Sequence, residues 1–179
     1  MATLYTHAVA GLGIARLYTA RPMPWAYWGL AVLLPIIPDL DVLSTYDYGT
    51  PLGHRGITHS LLFALVLGMV AAGATCRRLR VRWWSLAFLF FLVIASHGLL
   101  DAMTTRSEGI PFFWPLAARY GNWGLIPVSD VGFELPDPRS SRALQSELLW
   151  IWLPTALLVG VVTVYRSLRR PTSARDSDA

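Results

Sequence analysis

Residues 83–103 read WWSLAFLFFLVIASHGLLDAM and carry no charged side chain before Asp101. At ~1.5 Å per residue, a helix of this length spans the ~30 Å hydrocarbon layer of a bilayer. His97 and Asp101 stand four residues apart, so a helix places both side chains on one face, near one end of the span. The segment therefore predicts a transmembrane helix with an ionisable pair at one end. A hydrogen-bonded His–Asp pair between helices is the simpler alternative to a metal site.

The whole chain has the composition of an integral membrane domain. Its 179 residues are 54% hydrophobic and 15% charged, and the mean hydropathy is +0.46. An ordinary globular domain is less apolar and more charged. All basic side chains are arginines, and many lie in short runs beside apolar segments rather than along a groove. We therefore predict no nucleic-acid partner; the bilayer is the expected one.

Five apolar stretches organise the chain, at about 2–20, 23–38, 58–76, 83–103 and 147–165. They predict an all-α integral membrane bundle of about five apolar helices, with one long outer loop over 104–146. Residues 1–170 form the predicted membrane domain, and 171–179 a disordered polar tail. Pro35 and Pro38 predict that the second helix kinks or stops before Asp39. No basic residue precedes Arg16, so a signal peptide is not expected.

The arginines predict the orientation of the bundle in the plasma (inner) membrane. Ten follow the first, third and fifth stretches and would share one side of a multi-pass protein: Arg16, Arg21, Arg77, Arg78, Arg80, Arg82, Arg166, Arg169, Arg170 and Arg175. The positive-inside rule makes that side cytoplasmic. The loops 39–57 and 104–146 would then face the non-cytoplasmic side. All four histidines and three aspartates fall at this second end.

The most specific motif is GHRGITHS at residues 53–60. Two histidines five residues apart lie ~140° apart on a continuous helix, so a shared site needs a break between them. Gly53 and Gly56 are the predicted break, and Thr58 is the predicted N-cap of a helix that starts at His59. His54 would reach the site from the loop. Arg55 could contact an anionic oxygen or pair with a carboxylate; a solvated polar helix entry is the alternative for the whole motif.

Two further elements supply candidate metal ligands. Pro38-Asp39-Leu40-Asp41 brings two carboxylates to the end of the second stretch. We expect Asp39 to be a ligand and Asp41 to be a second ligand or a group that orients a histidine; an acidic helix-ending turn is the alternative. His7 lies near the same end of the first stretch, where a satisfied buried histidine is equally plausible. Such groups are costly inside a membrane unless they pair or bind something, which favours a common divalent metal site.

These motifs together resemble the YdjM-like family of membrane-bound metal-dependent hydrolases. Further similarity lies in Gly109-Ile110-Pro111, Phe113-Trp114-Pro115, Ile126-Pro127-Val128-Ser129 and Ser146-Glu147-Leu148-Leu149-Trp150. That family is distantly similar to the helical zinc-dependent phospholipase C and single-strand nuclease group. The resemblance implies metal ligation by a set of residues with His54 nearby: His7, Asp39, His59, His97 and Asp101.

The chain also departs from the soluble enzymes of that group. It lacks their N-terminal Trp ligand and their additional downstream histidines, so one or two ions are expected instead of three. Zn²⁺ is the first candidate, with Mn²⁺ and Fe²⁺ as alternatives. Glu147 is a candidate replacement ligand, although an acid at a helix N-terminus is also favoured by the helix dipole.

The resulting hypothesis is a metal-dependent hydrolase acting on a phosphoester, or on a lipid or other small molecule. Metal-activated water would attack the ester, Asp39 or Asp41 would act as general base, and Arg55 would stabilise negative charge. A non-catalytic metal-binding membrane protein is the main alternative. An ion or proton transporter is weaker, because the cytoplasmic half offers only arginines. The loop 104–146 would anchor at the interface or cover the site as a lid.

Overall fold

The computed structural model describes residues 2–47, 49–104, 109–116, 118–121, 123–125 and 144–169. Within these ranges the chain is mainly helical and contains no β-strand; Ile110 and Tyr120 form an isolated bridge. The all-α prediction is confirmed. The predicted tail at 171–179 lies outside the described residues. The helices are α1 (Leu4–Tyr18), α2 (Trp25–Leu33) with a 3₁₀ extension (Leu34–Leu43), α3 (Leu61–Leu79), α4 (Trp83–Met103) and α5 (Leu144–Leu168).

Four of these helical segments are long and apolar enough to cross a membrane. They are α2 with its extension, α3, α4 and α5; the shorter α1 is not among them. Helix α4 is the centre of the bundle and buries Leu86, Phe90 and Val93 on its inner faces. A helix that is apolar all round belongs in a core, which fits its contacts with α1, α3 and the 3₁₀ extension.

Small residues let α1 approach its neighbours closely, as its paired glycines predict. A Cβ atom at Gly11 would clash with the carbonyl oxygen of Ala31 in α2, and one at Gly13 would clash with Thr155 in α5. Without side chains at these positions the backbone of α1 can approach its neighbours closely, as small residues allow at membrane helix interfaces. This packing holds α1, and with it His7, inside the bundle.

The α-helical part of the second segment ends at Leu33, before Asp39 as the prolines predict, but the chain does not stop winding there. After Leu33 the chain tightens into the 3₁₀ helix Leu34–Leu43, which contains Pro35 and Pro38. A proline ring crowds the carbonyl four residues earlier in an α-helix and donates no hydrogen bond. Tighter winding at ~3 residues per turn accommodates both prolines while the helix continues. Asp39 and Asp41 consequently project in different directions.

The start of α3 also differs from the prediction. Ser60, not Thr58, is its N-cap, and the Ser60 hydroxyl accepts a hydrogen bond of 3.1 Å from the Phe63 N–H. His59 precedes the helix in a short 3₁₀ turn, Ile57–His59. The Thr58 hydroxyl instead donates to the Asp41 carboxylate. The Thr58 side chain thus binds a partner distant in sequence, Asp41, instead of capping the adjacent helix.

The two ends of the bundle differ in charge. The C-terminal ends of the 3₁₀ extension and α4 meet the N-terminal ends of α1, α3 and α5 at one end, where the histidines lie. At the other end, arginines bind the last carbonyl groups of helices: Arg21 donates to the Arg80 carbonyl at 3.0 Å, and Arg166 to the Leu17 carbonyl at 2.6 Å. This sorting matches the sequence pattern. Which end faces the cytoplasm stays a prediction.

Candidate metal centre

Four buried side chains from three segments converge at the histidine end. The Nε2 atoms of His59 and His97 lie 3.0 Å apart. The Asp39 Oδ1 atom is 3.3 Å from His97 Nε2 and 3.6 Å from His59 Nε2, and Asp101 Oδ2 is 4.0 Å from His97 Nε2. One ligand atom from each residue lies within 4.8 Å of all the others. This buried group could hold a metal ion.

Helix α4 and the loop before α3 create this convergence by a close approach. His97 and Asp101 share one face of α4 because of their i, i+4 spacing. Between them, Gly98 faces the backbone of His59: a Cβ atom at Gly98 would lie 3.1 Å from the His59 carbonyl oxygen. The same Cβ would lie 3.2 Å from the Phe112 ring and 3.4 Å from Ile110. A larger residue at position 98 would push His59 away from His97.

Both histidines are oriented by acceptors behind them. His97 Nδ1 lies 2.8 Å from the Pro35 carbonyl oxygen, and His59 Nδ1 lies 3.2 Å from Asp41 Oδ2. Each acceptor favours a proton on Nδ1, which leaves the Nε2 lone pair directed at the centre. Metal-binding histidines characteristically use this arrangement, in which a carbonyl or carboxylate fixes the tautomer and the ring orientation.

Asp41 lies behind His59 and not among the four converging ligands. Its carboxylate accepts hydrogen bonds from the Thr58 hydroxyl at 2.5 Å and from the Arg55 N–H at 3.2 Å. His54 Nδ1 is 2.6 Å from Asp41 Oδ1. Asp41, His54 and His59 form a second potential metal-binding group that shares His59 with the first. These contacts favour the orienting role for Asp41 among the two anticipated from the sequence.

The break between the two loop histidines lies at Arg55. Its backbone has a φ of 61°, which is unusual for a residue other than glycine. Gly53 and Gly56 flank this residue, as expected, and Gly56 has φ −88° and ψ −137°, which is neither helical nor extended. Both also allow close packing, since a Cβ on either would clash with a backbone carbonyl oxygen. The turn buries the Arg55 side chain, with Nε 3.6 Å from Asp101 Oδ2.

His7 extends the cluster through Asp101. Its ring stacks on His97 with centroids 3.9 Å apart and planes inclined by 26°. His7 Nε2 lies 3.6 Å from Asp101 Oδ1, the oxygen that also accepts a 3.1 Å hydrogen bond from the Ala2 N–H. Neither ring nitrogen of His7 has a hydrogen-bond partner among the described residues. Asp101 therefore faces a different imidazole with each oxygen: Oδ1 faces His7, and Oδ2 faces His97.

The donor set fits a divalent cation. Asp39 Oδ1 and Asp101 Oδ2 are buried and have no hydrogen-bond partner in the described part of the chain. A proton shared by the two Nε2 atoms would leave the negative charge of both carboxylate oxygens without a partner. A single metal cation could contact all four ligand atoms. With neutral histidines, Asp39, Asp41 and Asp101 against Arg55 leave two negative charges. Buried charges of this kind need a partner, and a divalent ion would balance them.

Comparison with known proteins agrees with the motifs and the fold. The family described as YdjM inner membrane protein matches residues 1–170. The chain belongs to the YdjM family of inner membrane proteins. It is also 34% identical over 172 residues to the inner membrane protein YbcI of Escherichia coli strain K12, covering 90% of this chain and 97% of YbcI. No solved structure matches the chain. The family description and the name of this relative both refer to the inner membrane, and the four apolar spans of this YdjM-family protein agree with a membrane location.

Glu147 of this YdjM-family protein does not join the metal centre. Its carboxylate is fully buried and accepts hydrogen bonds from the Thr3 N–H and the Thr6 hydroxyl, each at 2.6 Å, as well as from the Thr3 hydroxyl. An acid from α5 thus caps the N-terminus of α1, where anionic groups are favoured. The sequence suggested a metal ligand or an acid that favours its own helix. The structure places Glu147 in the first turn of α5, as the second interpretation expects, but its hydrogen bonds go to Thr3 and Thr6, about 140 residues away in sequence.

Other contributors to the site carry no recognisable motif. Arg119 donates to the carbonyl oxygens of Gly49 at 3.0 Å, Arg55 at 3.0 Å and Gly109 at 2.8 Å, and so joins two loops beside the site. In the same region the Phe112 carbonyl accepts a 2.9 Å hydrogen bond from the Leu61 N–H. This described part of the loop 104–146 packs beside His59. Phe133, a further aromatic residue of that loop, lies outside the described residues.

Replacing Asp41 by asparagine tests the orienting contact. The amide would keep the side-chain volume but lose the charge that holds the His59 Nδ1 proton. We expect metal affinity to fall about 10- to 100-fold, the usual cost of losing such a partner. Competition between the purified protein and a fluorescent Zn²⁺ chelator would measure this. Asp47→Asn, at an exposed loop position, is the matched control; equal affinity in both variants would contradict the assignment.

Proposed function

We propose that this protein is a metal-dependent hydrolase of the inner membrane that acts on a phosphoester, with lipids at the membrane surface as the first substrate class to test. The observation that carries the proposal is the convergence of His59 Nε2, His97 Nε2, Asp39 Oδ1 and Asp101 Oδ2 within 4.8 Å. The resemblance of the motifs to membrane-bound hydrolases, and distantly to zinc-dependent phospholipases, supports the proposed reaction class; a fold alone would not.

Zn²⁺ is the proposed ion, because two imidazoles and two carboxylate oxygens are ligands it accepts in tetrahedral sites. Mn²⁺ and Fe²⁺ tolerate the same donors and are the alternatives. Asp101 offers its Oδ2 atom to this site. Its Oδ1 atom faces His7, and a bridging carboxylate can hold two ions a few Å apart. One or two ions are therefore proposed.

A bound divalent ion would supply Lewis acidity, which activates water and polarises the oxygen of an ester. Arg55 would stabilise negative charge on that oxygen, since its guanidinium already lies beside Asp101 in the buried site. Asp41 and His54, 2.6 Å apart, would accept and pass on the proton. His54 suits this role because its side chain is 13% exposed, whereas the side chains of His59 and His97 are fully buried.

The site is proposed to face the non-cytoplasmic side, close to the membrane surface. It lies at the end of α4 opposite Arg82, and the loop histidine His54 is at its rim. The arginine distribution supports this orientation. A substrate with its polar group at the bilayer surface could approach from that side without crossing the apolar core.

A non-catalytic metal site is the second candidate, and the burial of the cluster favours it. Asp39, His59, His97 and Asp101 are each at most 4% exposed, and four protein ligands would fill a tetrahedral shell. Structural zinc sites are closed in this way, whereas catalytic ones keep a position for water. A transport function fits less well, because the described histidines and carboxylates gather at one end of the bundle instead of leading across it.

Metal analysis coupled to an activity panel would separate these functions. Detergent-purified wild-type protein is expected to hold one or two equivalents of metal and to hydrolyse at least one phosphodiester or phospholipid. His59→Ala should lose both properties, and Asp47→Ala, outside the cluster, should keep both. Stoichiometric metal without hydrolysis of any substrate would establish the non-catalytic candidate. Wild-type protein without metal after reconstitution with Zn²⁺, Mn²⁺ or Fe²⁺ would reject both.

A further inference from the structure

A second polar feature lies at the opposite end of the bundle. An open cavity of about 270 Å³ lies between the ends of α1, α2, α3 and α4. Tyr27, Met23 and Val81 form its less exposed part, and the Tyr27 hydroxyl is engaged with the Ala15 carbonyl at 2.8 Å. The remaining wall is polar: Tyr18, Thr19, Arg21, Arg80, Arg82 and Ser85. The cavity takes no part in the metal centre.

The charge around this cavity is not balanced within the described part of the chain. Arg21, Arg80 and Arg82 all line it. The acidic residues that the structure describes all belong to the metal centre, to its adjoining loop or to the α1 cap at the other end: Asp39, Asp41, Asp47, Asp101 and Glu147. Arg21 donates to the carbonyl groups of Leu79 and Arg80, which fixes its guanidinium without neutralising it. Three cations at one small cavity favour an anion.

The position of the cavity indicates where that anion comes from. Exposed Trp25 and Trp83 begin α2 and α4 beside it, and Arg82 lies over the Trp84 ring at 4.9 Å. Tryptophan concentrates at the level of lipid headgroups. Arginine guanidinium groups bind phosphate with paired hydrogen bonds. The cavity is therefore at headgroup depth and has phosphate-binding chemistry.

From this geometry we infer that the cavity binds the phosphate group of an anionic phospholipid, with Arg80 and Arg82 as its main contacts. The cavity is smaller than the ~300–1,000 Å³ of typical sites for drug-sized ligands, so it suits a headgroup whose acyl chains remain in the bilayer. Basic pockets between membrane helices bind anionic headgroups in this manner. The inference does not depend on the proposed hydrolase function.

Lipid titration of two charge-matched variants tests the inference. Arg80→Asn combined with Arg82→Gln removes both cavity cations, and asparagine suits the left-handed backbone at position 80, where φ is 52°. Arg77→Gln combined with Arg78→Gln removes the same charge from the exposed last turn of α3. Native mass spectrometry in detergent would measure the binding of phosphatidylglycerol, of phosphatidylcholine with identical acyl chains, and of inorganic phosphate.

We expect wild type and the Arg77/Arg78 variant to retain phosphatidylglycerol over phosphatidylcholine, and the Arg80/Arg82 variant to bind it roughly tenfold or more weakly. Equal weakening in both double variants would overturn the inference in favour of general surface charge. If inorganic phosphate displaces phosphatidylglycerol as effectively as the lipid itself does, the ligand is a free anion and the lipid inference is overturned. If the Arg80/Arg82 variant fails to fold, Arg82→Gln alone decides, and wild-type affinity in that variant overturns the inference.

Discussion

Asp101→Asn is expected to remove the metal and to destabilise the bundle together. Asp101 contacts the Ala2 N–H, His7, His97 and Arg55 from a fully buried position. The substitution would take one ligand from the centre and leave the Arg55 charge buried beside a neutral amide. Breaking a buried ion pair from one side typically costs about 3–5 kcal/mol. Metal content and the apparent melting temperature in detergent would report the two effects.

A compensating variant separates these two effects. Adding Arg55→Gln to Asp101→Asn removes the cation that faced the lost carboxylate, so the double variant should recover much of the melting temperature. It should not recover metal, because the asparagine lacks the ligand charge. Stoichiometric metal in either variant would show that Asp101 is not a ligand. Equal melting temperatures for the single and double variants would show that Arg55 and Asp101 are not coupled.

Glu147→Leu is expected to loosen the attachment of α5. This helix buries few residues apart from Glu147 and Ile151, so the hydrogen bonds of Glu147 to Thr3 and Thr6 are a large part of its attachment. Hydrogen bonds to a charged group contribute about 1.5–3 kcal/mol each, and the leucine would leave buried donors unpaired. A loss of at least about 3 kcal/mol in the free energy of unfolding follows. Thermal or denaturant unfolding in detergent would measure it.

The adjacent residue offers a matched control for Glu147. The Ser146 hydroxyl has no hydrogen-bond partner among the described residues, so Ser146→Ala should leave stability within about 0.5 kcal/mol of wild type. Thr3→Val with Thr6→Val removes the hydroxyl donors from the other side. The loss of unfolding free energy caused by these two valines should be smaller in the Glu147→Leu background than in the wild-type protein. Additive effects would contradict the capping interaction.

Local sequence rules failed where a distant partner took over a side chain. Thr58 was predicted to cap α3, but its hydroxyl binds Asp41, and Ser60 caps the helix instead. Glu147 was a candidate metal ligand, but it caps α1. The side chains of both residues can form hydrogen bonds with several kinds of partner. The choice among them depends on which segments pack side by side.

The amino-acid sequence was sufficient to predict the membrane class, the apolar spans and the end of the bundle at which the histidines and aspartates gather. Those properties follow from hydropathy and spacing along a single segment, and the i, i+4 pair of His97 and Asp101 follows from helix geometry. The packing of the segments was needed to establish that Asp39 faces the histidine Nε2 atoms while Asp41 contacts the Nδ1 side of His59. That assignment depends on the 3₁₀ winding after Leu33 and on the approach of His59 to Gly98, which arise from contacts between segments.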